Sequence, residues 1–137
     1  MKKTLRILAL TIVSIMLCLT FASCGAPNAD PDEALEALKE NGITWAAKDD
    51  RLAPGVLKVA GVDGVDCVVS GTDKIDGEFA HITIIYFDEV ADAKDAFEKV
   101  EELSGDDKGD AKDSDWVCKR SGKMIYYGTK DAIKAAK

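Results

Sequence analysis

The sequence predicts a single α+β domain over residues 31–137, with a mainly antiparallel sheet and helices packed on one face to make two layers. Two observations predict this fold class. Segments with strand character occur in two pairs, each pair close enough in sequence to form a hairpin. A segment with helical periodicity follows each pair, and hairpins followed by helices are typical of a two-layer α+β domain.

The domain is expected to open with a helix. Asp30 is a favourable N-cap, Pro31 fits the first turn, and acidic residues follow. Asn41 and Gly42 are expected to end this helix, because both tolerate the left-handed conformation that closes helices. The next five residues, 43–47 (ITWAA), predict a strand.

Three further segments precede the longest helix. Residues 54–61 (PGVLKVAG) fit a short helix or a strand, and the flanking Pro and Gly favour the helix. Residues 65–71 (VDCVVSG) and 79–87 (FAHITIIYF) are rich in β-branched and aromatic residues, so we predict that both are strands.

The strongest helix signal starts after Asp88, which is expected to cap it. Its apolar side chains recur every three or four residues and are expected to pack on the sheet as core: Val90, Ala93, Phe97, Val100 and Leu103. Residues 104–114 are polar and acidic and predict a loop. Residues 116–120 and 123–127 predict a hairpin around Ser121-Gly122, and a last short helix should begin at Thr129 or Asp131.

The first 23 residues have the pattern of an export signal. Lys2, Lys3 and Arg6 precede an uncharged run from Ile7 to Ser23. A retained transmembrane anchor is the alternative. The uncharged run has 17 residues, which is short against the roughly 20 that span a bilayer. We therefore expect residues 1–23 to be removed.

The signal ends on Phe21-Ala22-Ser23-Cys24, which resembles the lipobox of bacterial lipoproteins. In that family one large apolar and two small residues precede a cysteine that receives a diacylglycerol before cleavage. Leu is usual at the first position, where this chain has Phe21. The resemblance implies a lipid on Cys24 and attachment to the extracytoplasmic face of the cell membrane. Two acyl chains are sufficient for stable attachment. Residues 25–30 (GAPNAD) are small, polar and contain a proline, so we expect residues 24–30 to form the acylated cysteine and a short flexible tether.

The domain itself also resembles small extracytoplasmic lipoproteins of Gram-positive bacteria. The pieces that carry this resemblance are "DGVDCVVSG", "HITIIYF" with the helix that follows, and "KRSGKMIYYGTKDAIKAA". This family has no known activity, so the resemblance implies no catalytic or binding residues.

Removal of the signal would leave an acidic domain. The chain has 18 basic and 25 acidic residues, and the signal holds three of the basic ones, so 15 remain against 25, a net charge of −10. This balance argues against nucleic acid as a partner, since phosphates require clustered Lys and Arg. One acidic residue, Asp131, and six basic residues lie from position 119 onward: Lys119, Arg120, Lys123, Lys130, Lys134 and Lys137.

That basic end has two interpretations. It balances the acidic remainder of the domain, or it meets an anionic lipid or wall polymer. The first is favoured, because runs of charge are usually solvated faces.

The sequence does not indicate catalytic or metal chemistry. His81 is the only histidine and lies within a predicted strand, without a nucleophile motif nearby. A transition metal would need several His and Cys ligands at close spacing. Residues 104–114 are acidic enough to suggest a calcium site. An EF-hand alignment puts Lys108 at a ligand position, however, so a solvated loop is favoured. We predict no catalytic residue, metal or cofactor.

Two cysteines would remain in the domain, Cys67 and Cys118. Export permits a disulfide between them, and two buried free thiols fit the sequence as well, because cysteine packs as a small apolar residue. Aromatic residues on strands are mostly core, and four are assigned there: Trp45, Trp116, Tyr126 and Tyr127.

These observations lead us to expect a membrane-anchored extracytoplasmic module that binds a protein or another cell-envelope partner without catalysis. The alternative is a small extracytoplasmic enzyme whose site surrounds His81 or is shared with a partner chain. A deep polar pocket at His81 would favour the enzyme, whereas a packed His81 would favour the module.

Overall fold

The computed structural model describes residues 25–109 and 111–137, which form a five-stranded antiparallel sheet with helices. The predicted α+β class and antiparallel sheet are confirmed. The predicted signal peptide and Cys24 lie outside the described residues. The elements are α1 (Pro31–Glu40), β1 (Ala47–Asp49), α2 (Leu52–Val59), β2 (Val65–Ile75), β3 (Glu78–Phe87), α3 (Val90–Asp107), a 3-10 turn (Asp113–Asp115), β4 (Trp116–Ser121), β5 (Met124–Thr129) and α4 (Lys130–Ala135).

The sheet has the strand order β1-β2-β3-β5-β4, and every neighbouring pair is antiparallel. Asp76 and Gly77 join β2 to β3 with φ angles of 53° and 81°, the positive values that a type I′ hairpin turn requires at both positions. Gly122, with φ of 58°, and Lys123 join β4 to β5. The second turn is therefore one residue later than predicted.

Helices cover both faces of the sheet, so the prediction that they pack on one face is wrong. The first face is buried under α1 and α4, in a cluster that includes Leu38, Val69, Ile82, Ile84, Tyr126 and Ile133. The second face is buried under α2 and α3, in a cluster that includes Val68, Ile85, Phe87, Val100, Ile125 and Tyr127. The reason lies in the strands: every residue of β5 is buried, and strands that are apolar on both faces need cover on both.

Two predicted element boundaries are wrong. Residues 43–46 form a turn, and only Ala47 of the predicted strand lies in β1. The Asp73 carboxylate accepts hydrogen bonds from Thr44 N–H at 3.2 Å and Thr44 Oγ1 at 2.9 Å, which holds this segment bent. Asp88 is not the cap of α3: Glu89 occupies that position without a side-chain bond, and the helix continues to Asp107.

The start of α1 agrees with the sequence, whereas α2 starts at Leu52, two residues before the predicted Pro54. The Asp30 carboxylate accepts from the N–H groups of Asp32 and Glu33 at 2.9 and 3.2 Å, which confirms the predicted cap of α1. The segment predicted as helix or strand forms helix α2. In α3, Val100 is fully buried, but Val90 is 39% exposed, so Val90 is not the core residue expected.

The segment before α1 is packed on the domain and is not the free tether that the sequence suggested. Pro27 is buried. Asn28 N–H donates to the carbonyl of Ala136 at 2.9 Å, and Tyr86 Oη donates to the Asn28 carbonyl at 2.8 Å. The chain is therefore fixed to the domain from only a few residues after position 24.

Candidate functional site

His81 lies on the second face of β3, and both of its ring nitrogens have partners. Nδ1 is 2.8 Å from Thr72 Oγ1, and Nε2 is 3.1 Å from Thr83 Oγ1. A hydroxyl can donate or accept, so this pair of threonines satisfies either neutral tautomer of the ring.

Aromatic rings surround His81. The Trp116 ring stacks on it at a centroid distance of 5.8 Å and an angle of 11°, and the Phe79 ring is nearly parallel to it at a centroid distance of 6.4 Å. Burial lowers the pKa of His81, and the nearby Asp107 carboxylate opposes this shift. A cavity of about 210 Å³ is lined by Phe79 and Thr129 but not by His81. The arrangement is that of a packed neutral histidine.

Asp107, which the sequence placed in a loop, instead ends α3 and contacts the sheet. It accepts a hydrogen bond of 2.5 Å from Tyr127 Oη. Burial raises the pKa of Tyr127, and the bond to Asp107 raises that pKa further. Tyr127 therefore stays a protonated donor that fastens the end of α3 to β5.

Cys67 and Cys118 are free thiols, so the disulfide alternative is wrong. Cys67 is buried on the first face of β2, and Cys118 lies on the second face of β4. Two strands separate β2 from β4, so the two residues are roughly 14 Å apart at the spacing of neighbouring strands. A disulfide needs Cα atoms closer than about 7 Å. Burial raises the pKa of Cys67 to about 11 and also raises that of Cys118.

The acidic segment 104–114, at the end of α3 and beyond it, is the segment in which the sequence suggests a calcium site. Lys108 lies against the Asp113 carboxylate, and Asp107 is engaged by Tyr127. Within residues 25–109 and 111–137, no group of three or more His, Cys, Asp and Glu side chains is placed to hold a metal ion. Asp110 lies outside the described residues.

A row of exposed apolar side chains, here called the apolar surface, lies along α2. Its members are Leu52, Val56 and Val59, with exposed fractions of 77%, 68% and 92%, and Trp45, in the turn before β1, is 82% exposed. The three aliphatic residues are spaced four and three apart, so they share one helix face. The assignment of Trp45 to the core is therefore wrong, while Tyr126 and Tyr127 are buried as expected and Trp116 is partly buried.

A second surface is a basic groove of about 520 Å³ between α4 and β4. Its basic lining residues are Lys119, Arg120, Lys130, Lys134 and Lys137. Its floor is formed by Val117, Tyr126 and Ile133, and the chain enters it at Gly25 and Ala26. None of the five basic side chains lies within 4.0 Å of an acidic side chain among the described residues.

No protein-family model, curated protein or solved structure matches this chain. In the part of the chain that the structure describes, no helix combines the length and the apolar character needed to cross a membrane.

Proposed function

We propose that the protein is a membrane-anchored extracytoplasmic lipoprotein that acts as a non-catalytic binding or accessory module. The observation that carries the proposal is the motif Phe21-Ala22-Ser23-Cys24 at the end of a basic and then apolar N-terminal segment. A diacylglycerol on Cys24 would supply the two acyl chains that stable attachment requires.

The surroundings of His81 support a role without catalysis. A general base must reach the proton that it removes, and the His81 ring is stacked against Trp116 with both nitrogens engaged by Thr72 and Thr83. An enzyme with a site around His81, or shared with a partner chain, is the alternative function. It would have to displace these contacts in order to use the ring.

The apolar surface supports a binding role and indicates the class of partner. Contiguous exposed apolar side chains are typical of interaction sites. Helix α2 contacts β1 and β2, and β1 is the sheet edge opposite β4, roughly 19 Å away at normal strand spacing. Because Gly25 lies in the groove beside β4, a lipid on Cys24 would leave the apolar surface facing away from the bilayer. We therefore propose a protein of the cell envelope as its partner.

The anchor is tested by intact mass spectrometry of the full chain expressed in a bacterial host. The expected product begins at Cys24 and carries a diacylglycerol. Cys24→Ala should accumulate as an uncleaved precursor or leave the membrane fraction. Cys18→Ala is the matched control, since Cys18 lies within the predicted signal, and it should be processed normally. A mature protein with an unmodified Cys24 would contradict the proposal.

The binding role is tested by photo-crosslinking in cells, with a photoreactive amino acid at Val59 or, as the control, at the exposed Glu98 of α3. We expect a discrete adduct with one other protein from position 59 alone. Val56→Glu should abolish this adduct, and because the Val56 side chain is exposed, folding should be unaffected. Equal adducts from positions 59 and 98 would contradict a specific binding surface. An adduct of twice the chain's mass would show that the partner is a second copy of this chain and would contradict a different protein as the partner.

A further inference from the structure

We propose that the basic groove binds the phosphate groups of anionic phospholipids in the membrane that holds Cys24. The inference deepens the proposed function and rests on it, because the groove meets the membrane only if Cys24 carries a lipid. It assigns a specific ligand chemistry to the C-terminal basic residues and fixes how the domain is oriented.

The first step is the position of the anchor. Gly25 and Ala26 line the groove, and Cys24 is two residues before Ala26, a reach of about 7 Å at most. Buried Pro27 and the two hydrogen bonds of Asn28 prevent the chain from carrying the anchor away from this point. The polar headgroup layer is itself several ångströms thick on each side of the bilayer, so a groove this close to the lipid lies at or in it.

The second step is the chemistry of the groove wall. Lys130, Lys134 and Lys137 are spaced four and three apart along the last helix and its end, and Lys119 faces them from β4. Lysine offers a compact positive charge to phosphate. The floor of Val117, Tyr126 and Ile133 is suited to the glycerol carbons of a phospholipid.

The alternative role for these basic residues is to balance the acidic remainder of the domain. Balancing charges would be expected beside carboxylates, yet no acidic side chain lines the groove. Asp131, the only acidic residue after position 118, borders a different cavity, which it shares with Lys134. The groove therefore concentrates unpaired positive charge at the site nearest the anchor.

The third step is the charge of the whole domain. The mature chain before Lys119 has nine basic and 24 acidic residues, a net charge of −15. An anionic membrane repels that part and attracts the groove. Both forces decay over about 8 Å at physiological salt, which is comparable to the distance between the groove and the anchor. The domain should thus rest with the groove against the headgroups.

The test uses the acylated protein purified from membranes and reconstituted in phosphatidylcholine vesicles with or without phosphatidylglycerol. Flotation of the protein with the vesicles shows whether the lipid anchor holds it on the membrane. The reactivity of each lysine is measured with a membrane-impermeant amine-acetylating reagent and mass spectrometry. A Lys or Arg side chain near an anionic membrane is stabilised by about 1 kcal/mol, which changes the equilibrium between membrane-bound and free side chain roughly fivefold. We expect Lys119, Lys134 and Lys137 to react about fivefold more slowly in vesicles with phosphatidylglycerol, while Lys58 and Lys94 react equally in both.

Charge-reversal variants complete the test. Lys119→Glu with Lys134→Glu should remove the protection of Lys137, whereas the matched reversal of Lys58→Glu with Lys94→Glu should preserve it. A protein that floats but shows equal groove reactivity in both vesicles overturns this inference alone. A protein that fails to float overturns the proposed anchor and the inference with it. If soluble polyglycerol phosphate, but not phosphatidylglycerol, protects the groove lysines from acetylation, the ligand of the groove is a wall polymer and the proposal of a phospholipid ligand is wrong.

Discussion

At the scale of single residues, His81 is the group whose surroundings best define its role. Its ring is stacked against Trp116, and its nitrogens lie 2.8 and 3.1 Å from the hydroxyls of Thr72 and Thr83. Burial disfavours the charged ring more than Asp107 favours it, so the pKa is lowered. The neutral ring therefore serves as a polar link between β2 and β3 within an aromatic cluster.

His81→Gln is predicted to lower stability modestly and to change its pH dependence. A histidine with a folded pKa below its unfolded value of about 6.5 contributes stability that is present above that value and is lost as pH falls toward the folded pKa. The free energy of unfolding of the natural protein should fall between about pH 7.5 and 5.5, where few carboxylates titrate. At pH 7.5 the variant should lose about 1–2 kcal/mol with its hydrogen bonds and ring stacking.

Urea unfolding at several pH values measures both effects. In the variant, the fall in stability between these pH values should be largely absent. Equal pH dependence in the two proteins would show that His81 is not held neutral. The same variant also tests the enzyme alternative: esterase, phosphatase or peptidase activity present in the natural protein and lost in a stably folded His81→Gln variant would contradict a non-catalytic role.

Some residue-level features follow from local sequence, and others do not. The Asp30 cap depends only on the two or three residues after it, and it was predicted correctly. Trp45 is assigned to the core because it is an aromatic residue on a predicted strand, but residues 44 and 45 form a turn, and Trp45 is exposed. The separation of Cys67 and Cys118 depends on strand order, which neither local pattern nor alternation reveals.

At the scale of elements, the pairing of β3 with β5 depends on a glycine. Gly128 pairs with Ile82 and has φ of 149°. A Cβ added there would lie against the carbonyl oxygen of His81 and 2.9 Å from the Ile82 Cα. Because these neighbours are backbone atoms, they cannot move aside without disrupting the ladder.

Gly128→Ala is therefore predicted to cost about 3 kcal/mol or more in unfolding free energy. The matched control is Gly105→Ala in α3, where a Cβ meets nothing within 4 Å. Alanine is a better helix former than glycine, so this control should gain about 0.5–1 kcal/mol. Thermal or urea unfolding separates the two results, and a loss at Gly128 below about 1 kcal/mol would contradict the close approach of β3 and β5.

Helix α3 offers a second matched pair. Val100 is fully buried against the second face, whereas Val90 is 39% exposed. Val100→Ala should cost about 2 kcal/mol in unfolding free energy through lost burial and the cavity left behind. Val90→Ala should change it by less than about 0.5 kcal/mol. Equal losses in urea unfolding would mean that α3 is rotated relative to the sheet.

Elements with a regular spacing of apolar residues were predictable from the sequence, and elements defined by contacts with residues far along the chain were not. The strands β2 and β3 and the helices α1 and α3 follow from their own patterns. The predicted strand over 43–47 fails because Asp73, far along the chain, bends it at Thr44. The second helical layer could have been inferred from β5, whose uninterrupted apolar residues 124–127 leave no polar face for solvent.

At the scale of the whole molecule, three features have a consistent arrangement. Gly25 and the basic groove lie at the β4 edge of the sheet, and the apolar surface lies near the β1 edge. A domain that rests on its groove would present the apolar surface toward the envelope. The sequence located the basic residues but favoured a balancing role for them, because only the folded chain shows that they meet beside Gly25.

The orientation that we propose depends on the few residues that separate Cys24 from the packed segment at Asn28. An insertion of about six Gly and Ser residues between Cys24 and Gly25 adds roughly 14 Å of mean reach, more than the screening length of about 8 Å. The acylated variant should still float with vesicles, because the acyl chains alone hold it there. Its groove would spend less time at the headgroups, so Lys119 and Lys134 should react with the acetylating reagent nearly as fast with phosphatidylglycerol as without it. Undiminished protection would show that the groove binds lipid independently of the anchor, and the orientation would then be set by the groove alone.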